Sequence, residues 1–143
     1  MIDRELVTRK LALILGDLNE LGAVASHPRD QYLASIRDEL VAERLLERII
    51  GRMIDINYHL LTETGQPPPR DYYDSFVQLG TARILPIDFA RRVAACAGLR
   101  NRIVHEYEEI DPARVYEALQ AAVTDIPEYL RHVYEYVEKL GPP

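Results

Sequence analysis

The chain has 143 residues, which one domain accounts for, and 48% hydrophobic residues, enough for a buried core and too many for a disordered chain. Its 17 Lys and Arg stand against 23 Asp and Glu, a net charge of −6 that excludes the broad basic surface needed to grip duplex nucleic acid, so DNA is not an expected partner. The single Cys96 excludes a disulfide framework and a multi-cysteine metal site. No uncharged apolar run reaches about 18 residues, and Met1–Glu5 lacks the form of a signal peptide, so a soluble, cytoplasmic protein without a membrane span is expected.

The first segment, residues 3–25, places Leu6, Leu11, Leu13, Ile14, Leu18, Leu21 and Val24 at helical recurrence, and Gly22 with Ser26-His27-Pro28 closes it. Pro28 disfavours helix at His27, which makes that histidine a turn residue. The second segment runs from Asp30 to about Thr64 and is apolar on two lines. Ile36, Leu40, Ile50, Ile54 and Leu61 form one; Val41, Leu45, Ile49 and Ile56 form the other. A helix apolar on two sides is the centre of a bundle. Glu43 and Glu47 interrupt the first line, and either neutralise a buried cation elsewhere or serve Arg44 and Arg48 and solvent. His59 and Glu63, one turn apart, make two metal ligands without a third, too few for a site.

Gly65-Gln66-Pro67-Pro68-Pro69-Arg70 forms a stiff connector. A short helix follows from Asp71 to about Leu79, then Gly80 and a boundary at Leu85-Pro86. From Ile87 to about Glu109 the pattern predicts one helix with Phe89, Val93, Cys96, Ala97, Ile103 and Val104 inward, and Gly98 marks close packing or a kink. Asp111 and Pro112 then supply an N-cap and a first position for the last helix, which carries Val115, Leu119, Val123, Ile126, Leu130, Val133, Val137 and Leu140. Pro127 is expected to bend it, and His132 to lie at the surface. With no period-two segment and no glycine-rich phosphate loop, residues 1–143 read as an all-α, up-and-down bundle of four to five helices without a β-sheet.

One residue breaks the pattern. On an ideal helix the same-face neighbours of Arg100 are Val93, Cys96, Ala97, Ile103 and Val104, so a permanent cation sits in an apolar stripe. Burying it unpaired costs several kcal/mol or more. Arg100 must therefore meet a buried carboxylate, for which Glu43 and Glu47 are the candidates, or line a cleft that admits an anion. Tyr107 falls nearly two turns beyond Arg100, and Asn101 pairs with His105 at i, i+4 roughly 100–140° round the helix. Arg91, Arg92 and Arg102 add local positive charge, of which Arg91 and Arg92 fit a solvated face.

The run Gly98-Leu99-Arg100-Asn101-Arg102-Ile103-Val104-His105-Glu106-Tyr107, with Tyr72-Tyr73 before it and Ile110-Asp111 after, resembles the Arg-x4-His-x-Tyr signature of HEPN-domain proteins, specifically HepT-like toxins, across residues 1–140. The resemblance implies a HEPN-like bundle, a homodimer with a composite site, and metal-independent endoribonuclease activity leaving a 2′,3′-cyclic phosphate. It makes Arg100 and His105 the catalytic pair. It further implies a minimal nucleotidyltransferase antitoxin that uses ATP to adenylylate Tyr107; the residues alone favour a packing tyrosine with its hydroxyl bonded locally. Neither a cofactor nor a metal is called for. The chemistry suits the residue types: histidine, with an ordinary pKa near 6.5, can take and give protons near neutrality, and a fixed guanidinium can neutralise phosphoryl charge. Asn101 and Arg102, with Glu43, are supporting groups. The competing reading is a non-catalytic helical module that binds a nucleotide or docks a nucleotidyltransferase.

Overall fold

The computed structural model describes residues 1–140, and among them every regular element is helical. Helix α1 spans Arg4–Ala25, α2 Arg29–Leu33, α3 Ile36–Glu63, α4 Tyr72–Thr81, α5 Ile87–Val93, α6 Ala95–His105 and α7 Pro112–Lys139. Short polar caps start the main helices. Asp3 accepts from the Leu6 N–H, Ser35 and Asp71 do the same three residues ahead, and Asp111 accepts from the Ala113 N–H with Pro112 behind it. Gly65, at φ 75°, takes the left-handed turn that ends α3.

The all-α bundle expected from periodicity is present, with two of its five segments divided. Ser35 caps α3 with its own side chain and separates it from α2, so the segment expected to run unbroken from Asp30 is two helices. The apolar line there is misleading at its start, since Ile36 is 73% and Leu40 61% exposed. Burial begins with Ala42 and Leu46 and continues through Leu61. The helix expected from Ile87 to Glu109 breaks at Ala94, where the Ala97 N–H bonds back to the Ala94 carbonyl at 3.0 Å in one tightened turn.

Gly98 is not the point of close approach. A Cβ there would meet only the Arg102 guanidinium at 3.4 Å, whereas one on Gly80 would press Ala90 Cβ at 2.8 Å. Gly80 therefore lies inside α4, and its missing side chain lets α4 and α5 touch. Helix α7 continues through Pro127 to Lys139.

Helix α3 is central, packing against α1, α2, α4, α6 and α7 around one apolar core. A buried polar chain crosses that core. The Tyr129 hydroxyl donates to Asn57 Oδ1 at 2.6 Å and lies 3.1 Å from the Met53 carbonyl; Asn57 Nδ2 donates to Ser75 Oγ at 3.1 Å, and Ser75 donates to the Tyr72 carbonyl at 2.7 Å. Helices α7, α3 and α4 are thereby tied at the level of Tyr72. His27 occupies the α1–α2 turn as expected and bonds Asp38 at 2.8 Å. His132 is half-buried rather than superficial, 5.6 Å from the Phe89 ring centroid. His59 accepts the Asp3 N–H at 2.9 Å, and Glu63 meets the Met1 ammonium at 2.6 Å. No helix among the described residues is long and apolar enough to cross a membrane.

Candidate functional site

Helix α6 turns Cys96, Ala97, Leu99 and Ile103 into the core and carries Arg100 at the edge of that face. The Arg100 Nε is fully enclosed and has no hydrogen-bond partner, and no carboxylate among the described residues comes within ion-pair distance of its guanidinium. The guanidinium rests instead on an aromatic ring, its carbon 5.3 Å from the Tyr72 ring centroid. Tyr72 in turn meets Tyr58 edge-on at 6.2 Å.

Of the two ways to accommodate this cation, the structure takes the cleft. A cavity of about 330 Å³ opens between α3 and α6, lined by Arg44, Glu47, Arg48, Gly51, Arg52, Ile54, Asp55, Tyr72 and Arg100. Asp17 on α1 holds both Arg48, at 3.0 Å, and Arg52, at 2.8 Å. Glu47 stays with Arg44 at 3.4 Å on its own helix, and Lys10 takes Asp55 at 3.2 Å. Glu43 does not reach Arg100. It lies one turn before Glu47, near Glu39 and Tyr32, where burial first and the Glu39 charge second raise its carboxyl above the usual range. Cys96 is a buried thiol pushed up to about 12 by desolvation, in keeping with a core role.

The other members of the motif are exposed. Asn101 and His105 keep their one-turn spacing on the outer side of α6, and His105 is its final residue. Neither lines the cleft within the single chain. Arg102 borders a separate hollow of about 330 Å³ with Leu99, Glu106, Glu109 and Arg114, which shares no residue with the Arg100 cleft.

Tyr107 is not on the Arg100 line, because the helix stops first. Glu106, Glu108 and Glu109 would crowd carboxylates onto a helix C-terminus, where the negative end of the dipole disfavours them. The Glu106 N–H makes the last helical bond, to the Arg102 carbonyl at 2.9 Å, and a turn from Glu106 to Glu109 follows. Tyr107 stands on that turn, 63% exposed and outside the buried core.

Sequence reasoning missed the cationic row Arg44, Arg48 and Arg52. The signal is present as an i, i+4, i+8 spacing, but the sequence reading weighs Arg44 and Arg48 only as partners of Glu43 and Glu47 and gives Arg52 no role.

A family model described as Ribonuclease HepT-like matches residues 14–133. The tRNA nuclease HepT of Aphanizomenon flos-aquae (strain 2012/KM1/D3) is 35% identical over 136 residues, covering 95% of this chain and 92% of that protein. Among solved structures, the cytosolic protein of unknown function YutE from Bacillus subtilis superposes with a TM-score of 0.86 at 18% identity, covering 99% of this chain and 96% of that one. A tri-AMPylated Shewanella oneidensis HEPN toxin in complex with an MNT antitoxin gives 0.82 at 21% identity, with coverages of 94% and 99%. At these identities the two structures establish a shared fold.

Proposed function

We propose, from the premise that this chain belongs to the ribonuclease HepT-like family, that it is a metal-independent endoribonuclease acting as the toxin of a toxin–antitoxin pair. The observation that carries this reading is Arg100: a cation with an enclosed, partnerless Nε at the wall of a basic cleft, on the same helix as an exposed histidine. A charge kept in that state without a carboxylate suits a phosphodiester better than it suits folding.

In this mechanism His105 removes the proton from the ribose 2′-hydroxyl as that oxygen attacks phosphorus. Arg100 neutralises the charge growing on the phosphoryl oxygens, the 5′-oxygen leaves with a proton, and a 2′,3′-cyclic phosphate remains. A base and an acid are needed in one event, and one chain offers one imidazole in the motif. A homodimer that brings two copies of α6 face to face supplies the second, and would also bring His105 up to the partner's cleft. Asn101, one turn from His105, orients the imidazole.

Tyr107 is the control point. The Shewanella toxin of the same fold is AMPylated and bound to an MNT antitoxin. The equivalent event here is attack of the Tyr107 phenol on the α-phosphorus of ATP, with pyrophosphate leaving, catalysed by a minimal nucleotidyltransferase. Its exposure on a turn two residues after His105 makes it reachable, and the added phosphate and bulk would obstruct substrate at the site.

The test is cleavage of single-stranded RNA by purified protein in chelator, with product ends mapped. Wild type is expected to leave 2′,3′-cyclic phosphates, and Arg100→Ala and His105→Ala to cut at background rates while remaining folded, with cooperative unfolding transitions. Activity that vanishes with the chelator, or survives in both variants, overturns the reading. The non-catalytic alternative draws on one observation, the position of His105 outside the cleft in the single chain, and predicts no cleavage in any of these arms.

A further inference from the structure

Arg44, Arg48 and Arg52 stand one turn apart on one face of α3, and Arg100 faces them from α6 across the cleft. The charges there do not balance. Four guanidiniums and Lys10 meet Asp17, Glu47 and Asp55, which leaves two positive charges over in a chain whose total is −6. One of the two is Arg100 itself. The other arises because a single carboxylate, Asp17, serves two arginines. Concentrating surplus cation in a cavity walled by protein, on an otherwise acidic molecule, raises the local potential for anions far more than net charge suggests.

The occupant can be narrowed by shape and charge. A duplex needs a broad basic face, which this molecule lacks, whereas a single strand can lay its phosphates into a narrow cleft. We propose that the α3 wall of this cleft holds backbone phosphate of single-stranded RNA, with Arg44 as the residue that supplies affinity. Arg48 and Arg52 fasten α3 to α1 through Asp17 and so also serve the fold. Arg44 does not: its side chain is 67% exposed, and among the described residues its ion pair is to Glu47 on its own helix. Phosphate oxygens can therefore displace Glu47 without disturbing any contact between helices. The proposal rests on the ribonuclease reading only for where the strand is cut, namely beside Arg100.

The experiment measures binding of a fully 2′-O-methylated single-stranded oligoribonucleotide, which cannot be cleaved through its 2′-oxygen, by fluorescence anisotropy at several salt concentrations. Full-length wild type, Arg44→Gln, Arg44→Glu and the control Arg91→Gln are compared; Arg91 is exposed on α5 and outside the cleft. Arg44→Gln is expected to weaken binding about 5-fold, the upper end for a solvent-screened charge contact. The slope of log affinity against log salt should fall by about 0.7, the value for one phosphate contact on a single strand. Arg44→Glu should bind more weakly still, and Arg91→Gln like wild type. With cleavable RNA, Arg44→Gln should raise KM and leave kcat in place.

Unchanged affinity and salt slope in Arg44→Gln would overturn the proposal. So would displacement of the strand by AMP at equal concentration, which would make the cleft a mononucleotide pocket. Arg44-dependent binding by a wild type that cuts nothing supports the cleft assignment and removes the nuclease one, while cleavage with Arg44-independent binding does the reverse.

Discussion

Replacing Arg100 by Met should abolish RNA cleavage and make the protein more stable. Methionine overlays the arginine side chain as far as Nε, so the packing of the stem against α6 and Tyr72 is retained while the charge and the enclosed N–H are removed. A buried donor without an acceptor costs about 1–3 kcal/mol. Against this, the substitution gives up the stack on Tyr72, which contributes about 0.5–1 kcal/mol at a partly exposed site. The difference favours Met by about 0–2.5 kcal/mol, centred near about 1 kcal/mol, and relief from the arginines across the cleft adds in the same direction. For a domain of this size about 1 kcal/mol is an upward shift in melting temperature of about 3–4 °C. Thermal unfolding followed by circular dichroism, at one fixed protein concentration for both proteins, reads it directly. A melting temperature lowered by several degrees would show that the guanidinium is paired in solution, and the argument from an uncompensated cation would fail.

Tyr129→Phe leaves Asn57 Oδ1 buried without its donor, at a cost of about 1–3 kcal/mol, so calorimetry should show a clear drop in melting temperature; an unchanged value would mean the buried chain contributes nothing. Tyr72→Leu removes the ring against Arg100, and should lower kcat while Tyr72→Phe restores it; loss in both would point to the hydroxyl instead. Glu43 carries a raised carboxyl pKa, so its ionised form burdens the fold at neutral pH, and that burden disappears as pH falls through the folded pKa. Glu43→Gln should therefore raise the melting temperature at pH 7.5 and lose that advantage towards pH 4; equal gains at both would contradict the assignment. Cys96, with its thiol pushed up to about 12, should resist iodoacetamide at pH 8 until guanidinium unfolds the chain, and rapid labelling of folded protein would show that the core opens there.

The helical architecture could be read from the spacing of apolar residues because α1, α3 and α7 each bury one long stripe. Two breaks escaped for different reasons. Ser35 sits between apolar residues that look like a continuing stripe, yet Ile36 and Leu40 are exposed, so the count of matches overstated the helix. Ala94 is a good helix former and signals nothing; the turn there is set by how α5 and α6 pack. That Arg100 would either meet a carboxylate or line a cleft was legible because a cation on an apolar face has few physical outcomes. Which outcome applied was not, since the choice between Glu43 or Glu47 and an open cleft depends on how α3 is rotated, and a shift of one residue turns a helix by about 100°. The end of α6 at His105 could have been anticipated from Glu106, Glu108 and Glu109.

Tyr107 stands on a turn outside the helical hydrogen-bond ladder and is 63% exposed, so a group attached to its oxygen would lie outside the buried core. Chains carrying such a group and chains without it should melt alike and survive proteases alike. A cell that silences the protein at this point would thus keep an intact reserve of it, recoverable by removing one bond and requiring neither synthesis nor refolding.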